Sequence, residues 1–166
     1  MTLKILRYPH PLLAKPCQTV TAFDDRLTSF ADALYDAMRA APGVGITAAH
    51  VGELMRLVIL DLPELGGRRD YVNPEILSLS QNTLEHDEGS VCMPGMTETV
   101  TRPRQITLRY QSLDGTVHEE ELQDFAAICM QHEIDQLDGL FWIQRLSRLK
   151  RDRLLKKWQK AISSQT

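Results

Sequence analysis

The chain is poor in cysteine, in aromatic residues and in long apolar runs. Cys17, Cys92 and Cys129 are few, scattered and odd in number, which argues against a disulfide framework and points to a reducing compartment. No stretch approaches the roughly 20 consecutive apolar residues of a membrane-spanning helix. The opening segment MTLKILRYPHPLLAKPC is interrupted by Pro9, Pro11 and Pro16 and lacks the apolar run of a secretory signal. Internal repeats and low-complexity linkers are absent as well. The net charge of −3 gives no whole-chain reason to expect DNA as a partner. A cytoplasmic protein is expected, one domain over residues 1–166, with neither membrane nor DNA among its partners.

What is present is ordinary globular material. With 166 residues, 43% hydrophobic and 25% charged, the chain is long enough to bury a proper core. Leu27, Phe30, Ala31, Leu34 and Met38 recur at helical spacing, and Pro42-Gly43 stops that helix. RLVILDL (56–62) reads as a buried strand, PELGGRRD as a loop, and YVNPEIL as an extended segment whose Pro74 suits an edge or a bulge. Residues 82–92 read as extended up to the MPG turn. QITLRYQS and VHEEEL, joined by LDGT, form a β-hairpin over 105–122. Asp124 is placed to cap a helix that begins at Phe125 and ends at Gly139. A basic helix spans about 147–163, with Leu154, Leu155, Trp158, Ala161 and Ile162 on one face. The order of elements gives the α+β class.

The stretch QHEIDQLDG (131–139) carries the chemistry. On a helix, His132 and position 136 share a face one turn apart, with Glu133 beside them. Two imidazoles at that spacing hold a metal while the glutamate takes a proton from bound water. Here the second position is Gln136, so taken alone the motif equally describes a buried polar pair on a core helix.

Together, GVGITAAHVG (43–52), EGSVCMPG (88–95) and QHEIDQLDG closely resemble the three motifs of bacterial peptide deformylases, approximately GVGLAAPQVG, EGCLSVPG and QHEIDHLDG. ILRYPHPLL, the helix ending in MRAAPG, and GLFWIQRLS extend the resemblance over nearly the whole chain. It implies antiparallel sheets around a central helix carrying His132 and Glu133, plus a C-terminal helix. It also implies hydrolysis of the N-formyl group from N-formylmethionyl peptides. A divalent metal, Fe²⁺ or Zn²⁺, would be held by one cysteine and two histidines, with glutamate as general base. A glutamine and a backbone N–H would stabilise the oxyanion.

Matched residue by residue, His132, Glu133 and the Val91 N–H agree with the family. Ser90 stands at the cysteine ligand, Gln136 at the second histidine, and His50 at the oxyanion glutamine. A neutral hydroxyl and a neutral amide bind transition metals poorly. Metal is therefore expected to be absent or weakly held, and hydrolysis weak or lost. One alternative is a rebuilt site drawing on His50, His132 and Cys92. In an extended strand, however, Cys92 would sit about 6.5 Å from Ser90, and a small half-buried cysteine is its plainer reading. Another alternative is a non-catalytic binder of N-terminal methionyl peptides or of the ribosome.

The resemblance assigns substrate contacts to Val44, Gly45, Glu88 and Gly89. Phe125, Ile128 and Cys129 would line a methionine pocket, or simply belong to the core. Glu88 is paired with Arg102 in this reading, and His86 lies at the rim. Arg148, Lys150, Arg151, Arg153, Lys156, Lys157 and Lys160 put seven cations within thirteen residues. Such a run is a solvated face or, as the resemblance implies, a ribosome-docking helix.

Overall fold

A computed structural model describes residues 1–164. Helix α1 (Asp25–Ala40) starts where the Asp24 carboxylate accepts the Leu27 N–H, and it buries Leu27, Phe30, Ala31, Leu34 and Met38. Strand β1 (Gly45–Thr47) and a 3₁₀ turn (Ala48–Val51) follow. Strands β2 (Leu57–Leu62), β3 (Gly67–Leu79), β4 (Thr83–Glu88), β5 (Glu98–Pro103), β6 (Gln105–Gln111) and β7 (Val117–Gln123) lead into helix α2 (Asp124–Leu137). Helix α3 (Arg148–Ser163) closes the order.

One antiparallel sheet runs β1-β2-β3-β6-β7, and β4 pairs with β5 in a second. The period of two in β2 explains how the large sheet is covered. Val58, Leu60 and Leu62 pack in the cluster of Ala126, Ala127, Met130 and Leu137 from α2, while Leu57 and Ile59 pack with Leu34 and Met38 from α1. A third cluster joins Leu154 and Trp158 of α3 to Trp142, Phe141, Leu13, Cys92 and Met93. The expected basic helix is present, with Ser147 accepting the Lys150 N–H at its start.

Three local readings are corrected and one, that of Pro74, is narrowed. PELGGRRD is not a loop throughout: Pro63–Leu65 is a 3₁₀ turn, and the strand already begins at Gly67. Pro74 lies in the middle strand of the sheet, so of edge and bulge only the bulge holds. The register shifts between Val72 and Glu75, and Asn73 takes φ 51° with its side chain bonded to both backbone groups of Val20. Residues 89–92 are not extended. β4 ends at Glu88, and the Met93 N–H turns back to the Ser90 carbonyl at 3.0 Å. Asp124 does not cap α2, because its own backbone sits at φ 52° and its carboxylate lies 3.4 Å from Arg104.

Helix α2 is buried around most of its circumference, polar residues included: Gln131, His132, Glu133 and Gln136 are all in the interior. Gly139, at φ 81°, lets the chain leave the helix; a Cβ there would lie 2.8 Å from the Ala14 carbonyl. The helix is thus sharply ended at Gly139, and its polar residues lie in the interior.

Candidate active site

His132 is 8% exposed, and its Nδ1 donates to Glu88 Oε1 at 2.8 Å. Glu88, at the end of β4, also accepts from Arg102 Nη2 at 2.9 Å and Nε at 2.5 Å. Arg102 continues to Asp135 at 2.8 Å, which Arg145 also grips through two hydrogen bonds. The expected Glu88–Arg102 pair is therefore part of a longer chain of charges that runs from the interior to exposed Arg145. Burial alone would raise the Glu88 carboxyl, but His132 and Arg102 outweigh it and hold it at about 2. Burial would lower His132, yet its bond to Glu88 and the charge of Glu133 carry it above the ordinary histidine value.

Glu133 is buried, with Oε1 3.9 Å from His132 Nε2 and Oε2 without a hydrogen-bond partner. Burial raises its carboxyl to about 7. Gly45 makes room for it: a Cβ on Gly45 would come within 3.0 Å of Glu133 Oε1. His50 is 1% exposed. Its Nδ1 accepts the Thr47 N–H at 2.9 Å, lies 3.1 Å from the Thr47 hydroxyl and 3.9 Å from Glu133 Oε2, while Nε2 has no partner. Burial, followed by the charge of His132, lowers His50 to about 3, so the ring is neutral.

These groups meet at a cavity of about 480 Å³. Val44 and Gly45 of the β1 segment line it, as do Glu88, Gly89, Ser90 and Val91 of the β4 turn. Phe125, Ile128, Cys129, His132 and Glu133 reach it from α2, and His50 from the 3₁₀ turn. Burial also raises the Cys129 thiol, which stays protonated. His86 is at the cavity too, its ring 4.8 Å from that of Phe125.

Two expected members do not line the cavity. Gln136 donates its amide to the Leu13 carbonyl at 2.8 Å. Cys92 is fully buried rather than half-buried, packed with Trp142 and Leu13, and burial pushes its thiol up to about 12. Ser90 Oγ accepts the Cys92 N–H at 3.1 Å. The trio of His50, His132 and Cys92 is consequently not assembled. Among the described residues, no group of three or more His, Cys, Asp or Glu side chains is arranged to hold a metal. The imidazole of His132, the neutral hydroxyl of Ser90 and the neutral amide of Gln136, whose N–H is bonded to Leu13, form a poor donor set for a divalent transition metal.

Four participants escaped the sequence reading. Thr47 fixes His50, and its signal was the T-x-x-H spacing of a capping box. Asp135 joins Arg102 to Arg145, while Pro94 and Met96 close one wall of the cavity; neither follows from spacing alone.

The likeness to known proteins runs the length of the chain. A family profile described as polypeptide deformylase matches residues 2–152. A peptide deformylase-like protein of Agrobacterium fabrum is 55% identical over 157 residues, 95% of each chain. A peptide deformylase of Phenylobacterium zucineum is 39% identical over 160 residues, again 95% of each. The crystal structure of a peptide deformylase from Legionella pneumophila superposes with a TM-score of 0.92 at 32% identity, covering 99% of this chain and 98% of that one. Profile, relatives and superposed fold agree, and the chain belongs to the polypeptide deformylase family.

Proposed function

We propose that this chain is a peptide deformylase-like protein that binds N-terminal methionyl peptides, formylated or free, and that its metal-dependent hydrolysis is weak or lost. The observation that carries this reading is the use already made of the ligand positions. Gln136 spends its amide N–H on Leu13, and Ser90 offers a hydroxyl that accepts the Cys92 N–H. His132 alone brings an imidazole nitrogen to the cavity at a position matching a family ligand. A site with two of three ligands downgraded should lose far more than the ~10–100-fold in metal affinity that follows loss of a supporting group. Without metal, water keeps its high pKa, and Glu133 activates it poorly.

The peptide-binding features are better kept. Val44, Val91, Ile128, Phe125 and Met96 supply apolar walls for an unbranched side chain. β1 is a terminal strand of its sheet and begins at Gly45, which lines the cavity, so its outer edge is placed to meet an extended peptide. A ribosomal partner is supported by α3, where Arg148, Arg153, Lys156, Lys157 and Lys160 are exposed. No helix among the described residues is long and apolar enough to cross a membrane.

Calorimetry with a short methionyl peptide, alongside a formate-release assay, tests this reading. Saturable binding without formate supports it. Formate release at rates ordinary for an enzyme contradicts it.

A further inference from the structure

A second cavity, of about 300 Å³, adjoins the first. Gly95, Met96 and Thr97 line both, and Leu154 and Lys157 of α3 complete the second. Three residues apart on the helix, Leu154 and Lys157 share one side of it. Leu154 is anchored in the cluster of Met93 and Trp142, which brings Lys157 to the edge of the cavity. The Lys157 ammonium has no hydrogen-bond or ion-pair partner among the described residues, and neither has the Thr97 hydroxyl. Glu98, the acid beside Thr97, lies 3.8 Å from Lys150 instead. Arg153 and Lys160, four residues before Lys157 and three after it, add like charge to its side of α3. None of the lining residues is acidic, so this is an electropositive recess with its cation and hydroxyl unspent.

The first cavity supplies the other half of the argument. Its lining is buried at His50, His132 and Glu133 and exposed at Pro94, Gly95 and Thr97. A peptide whose first residue occupies the buried end can continue over that exposed stretch. Gly95 leaves the passage open, since a Cβ there would meet no atom within 4 Å. An extended chain advances ~3.3 Å per residue, which carries successive side chains from one cavity towards the other.

We propose that residues 95–97 and Lys157 form a downstream subsite that takes a carboxylate from an acidic side chain near the start of the bound peptide. This rests on the peptide-binding reading above, and it makes Lys157 a specificity-determining residue.

Calorimetry on the full chain tests it, with methionyl pentapeptide amides in formylated and free-amine forms. Glu, Gln or Lys is placed in turn at positions two to five of an otherwise alanine background. Amidation removes the terminal carboxylate, the other group of this chemistry that could enter the recess. At one position the Glu peptide binds about three- to fivefold more tightly than the Gln peptide, and the Lys peptide more weakly than either. Lys157→Gln abolishes the Glu–Gln gap without changing affinity for the Gln peptide. Lys156→Gln, which removes the adjacent charge but touches no lining residue, keeps most of the gap. No gap at any position, a gap that survives Lys157→Gln, or equal loss in both variants overturns the subsite while leaving peptide binding intact. Failure of every peptide to bind the wild type removes the peptide-binding reading, and the subsite with it.

Discussion

Gln136 Nε2 and the Leu13 carbonyl are joined by a 2.8 Å hydrogen bond that spans 123 residues of sequence. It ties α2 to the 3₁₀ turn Pro11–Ala14, and it commits a side chain at a position that matches a metal ligand of the family to a structural task. A histidine there would give up the Leu13 bond to turn its ring to the cavity. Restoring Ser90→Cys and Gln136→His together should therefore recover near-stoichiometric Zn²⁺ or Fe²⁺ at a stability cost of ~1 kcal/mol for the lost bond. Metal analysis after gel filtration checks this; each single change should recover much less.

Arg102 joins Glu88 to Asp135, with the Glu88 and Arg102 side chains both only 4% exposed. Arg102→Ala removes the guanidinium that joins Glu88 to Asp135, leaving Glu88 to His132 and Asp135 to Arg145, and should destabilise by ~3 kcal/mol. Urea unfolding measures it. A loss under ~1 kcal/mol would mean that the network relaxes or takes up water.

Glu133 gives the pH prediction. Its folded carboxyl is raised to about 7 from an ordinary 4.5 by burial, so folding favours the protonated form. The sign follows: its contribution is most favourable below pH 4.5, is lost as pH rises towards 7, and is constant above that. Glu133→Gln escapes this loss. The variant should gain on the wild type across pH 4.5–7 and exceed it by ~3 kcal/mol at pH 8. Thermal melts of both proteins over that range read the difference directly.

Helix α3 gives a charge prediction. Lys156 and Lys157 are both exposed on this helix, whose Leu154 and Trp158 are buried. If α3 meets rRNA phosphates, Lys156→Glu with Lys157→Glu should weaken ribosome co-sedimentation about tenfold or more and flatten its dependence on salt. Sedimentation that ignores both salt and charge would remove the ribosome from the account.

Much of this architecture was legible because local and global signals agree. The Leu27, Phe30 and Leu34 spacing, stopped by Pro42-Gly43, predicted α1, and the apolar run of β2 predicted a buried strand. β3 was missed at its start because its first residues look like loop. Gly66 and Gly67 take positive φ, and Arg68, Arg69 and Asp70 are polar. Yet those residues pair in register with Asp61, Leu60 and Ile59, and Arg69 reaches Glu120 on β7, two strands away. The site divided in a similar way. Spacing put His132 and Gln136 on one face of α2, but it could not reveal that Gln136 has a carbonyl partner in the N-terminal segment. Nor could it show that the backbone turns after Glu88, sending Cys92 into the core beside Trp142.

Metal content of protein purified anaerobically, paired with formate release from a formyl-methionyl peptide, tests the central claim most directly. The account predicts well below one metal per chain and no formate above background. One tightly held metal per chain with formate release would contradict it, and would mean that the pocket recruits ligands beyond His132.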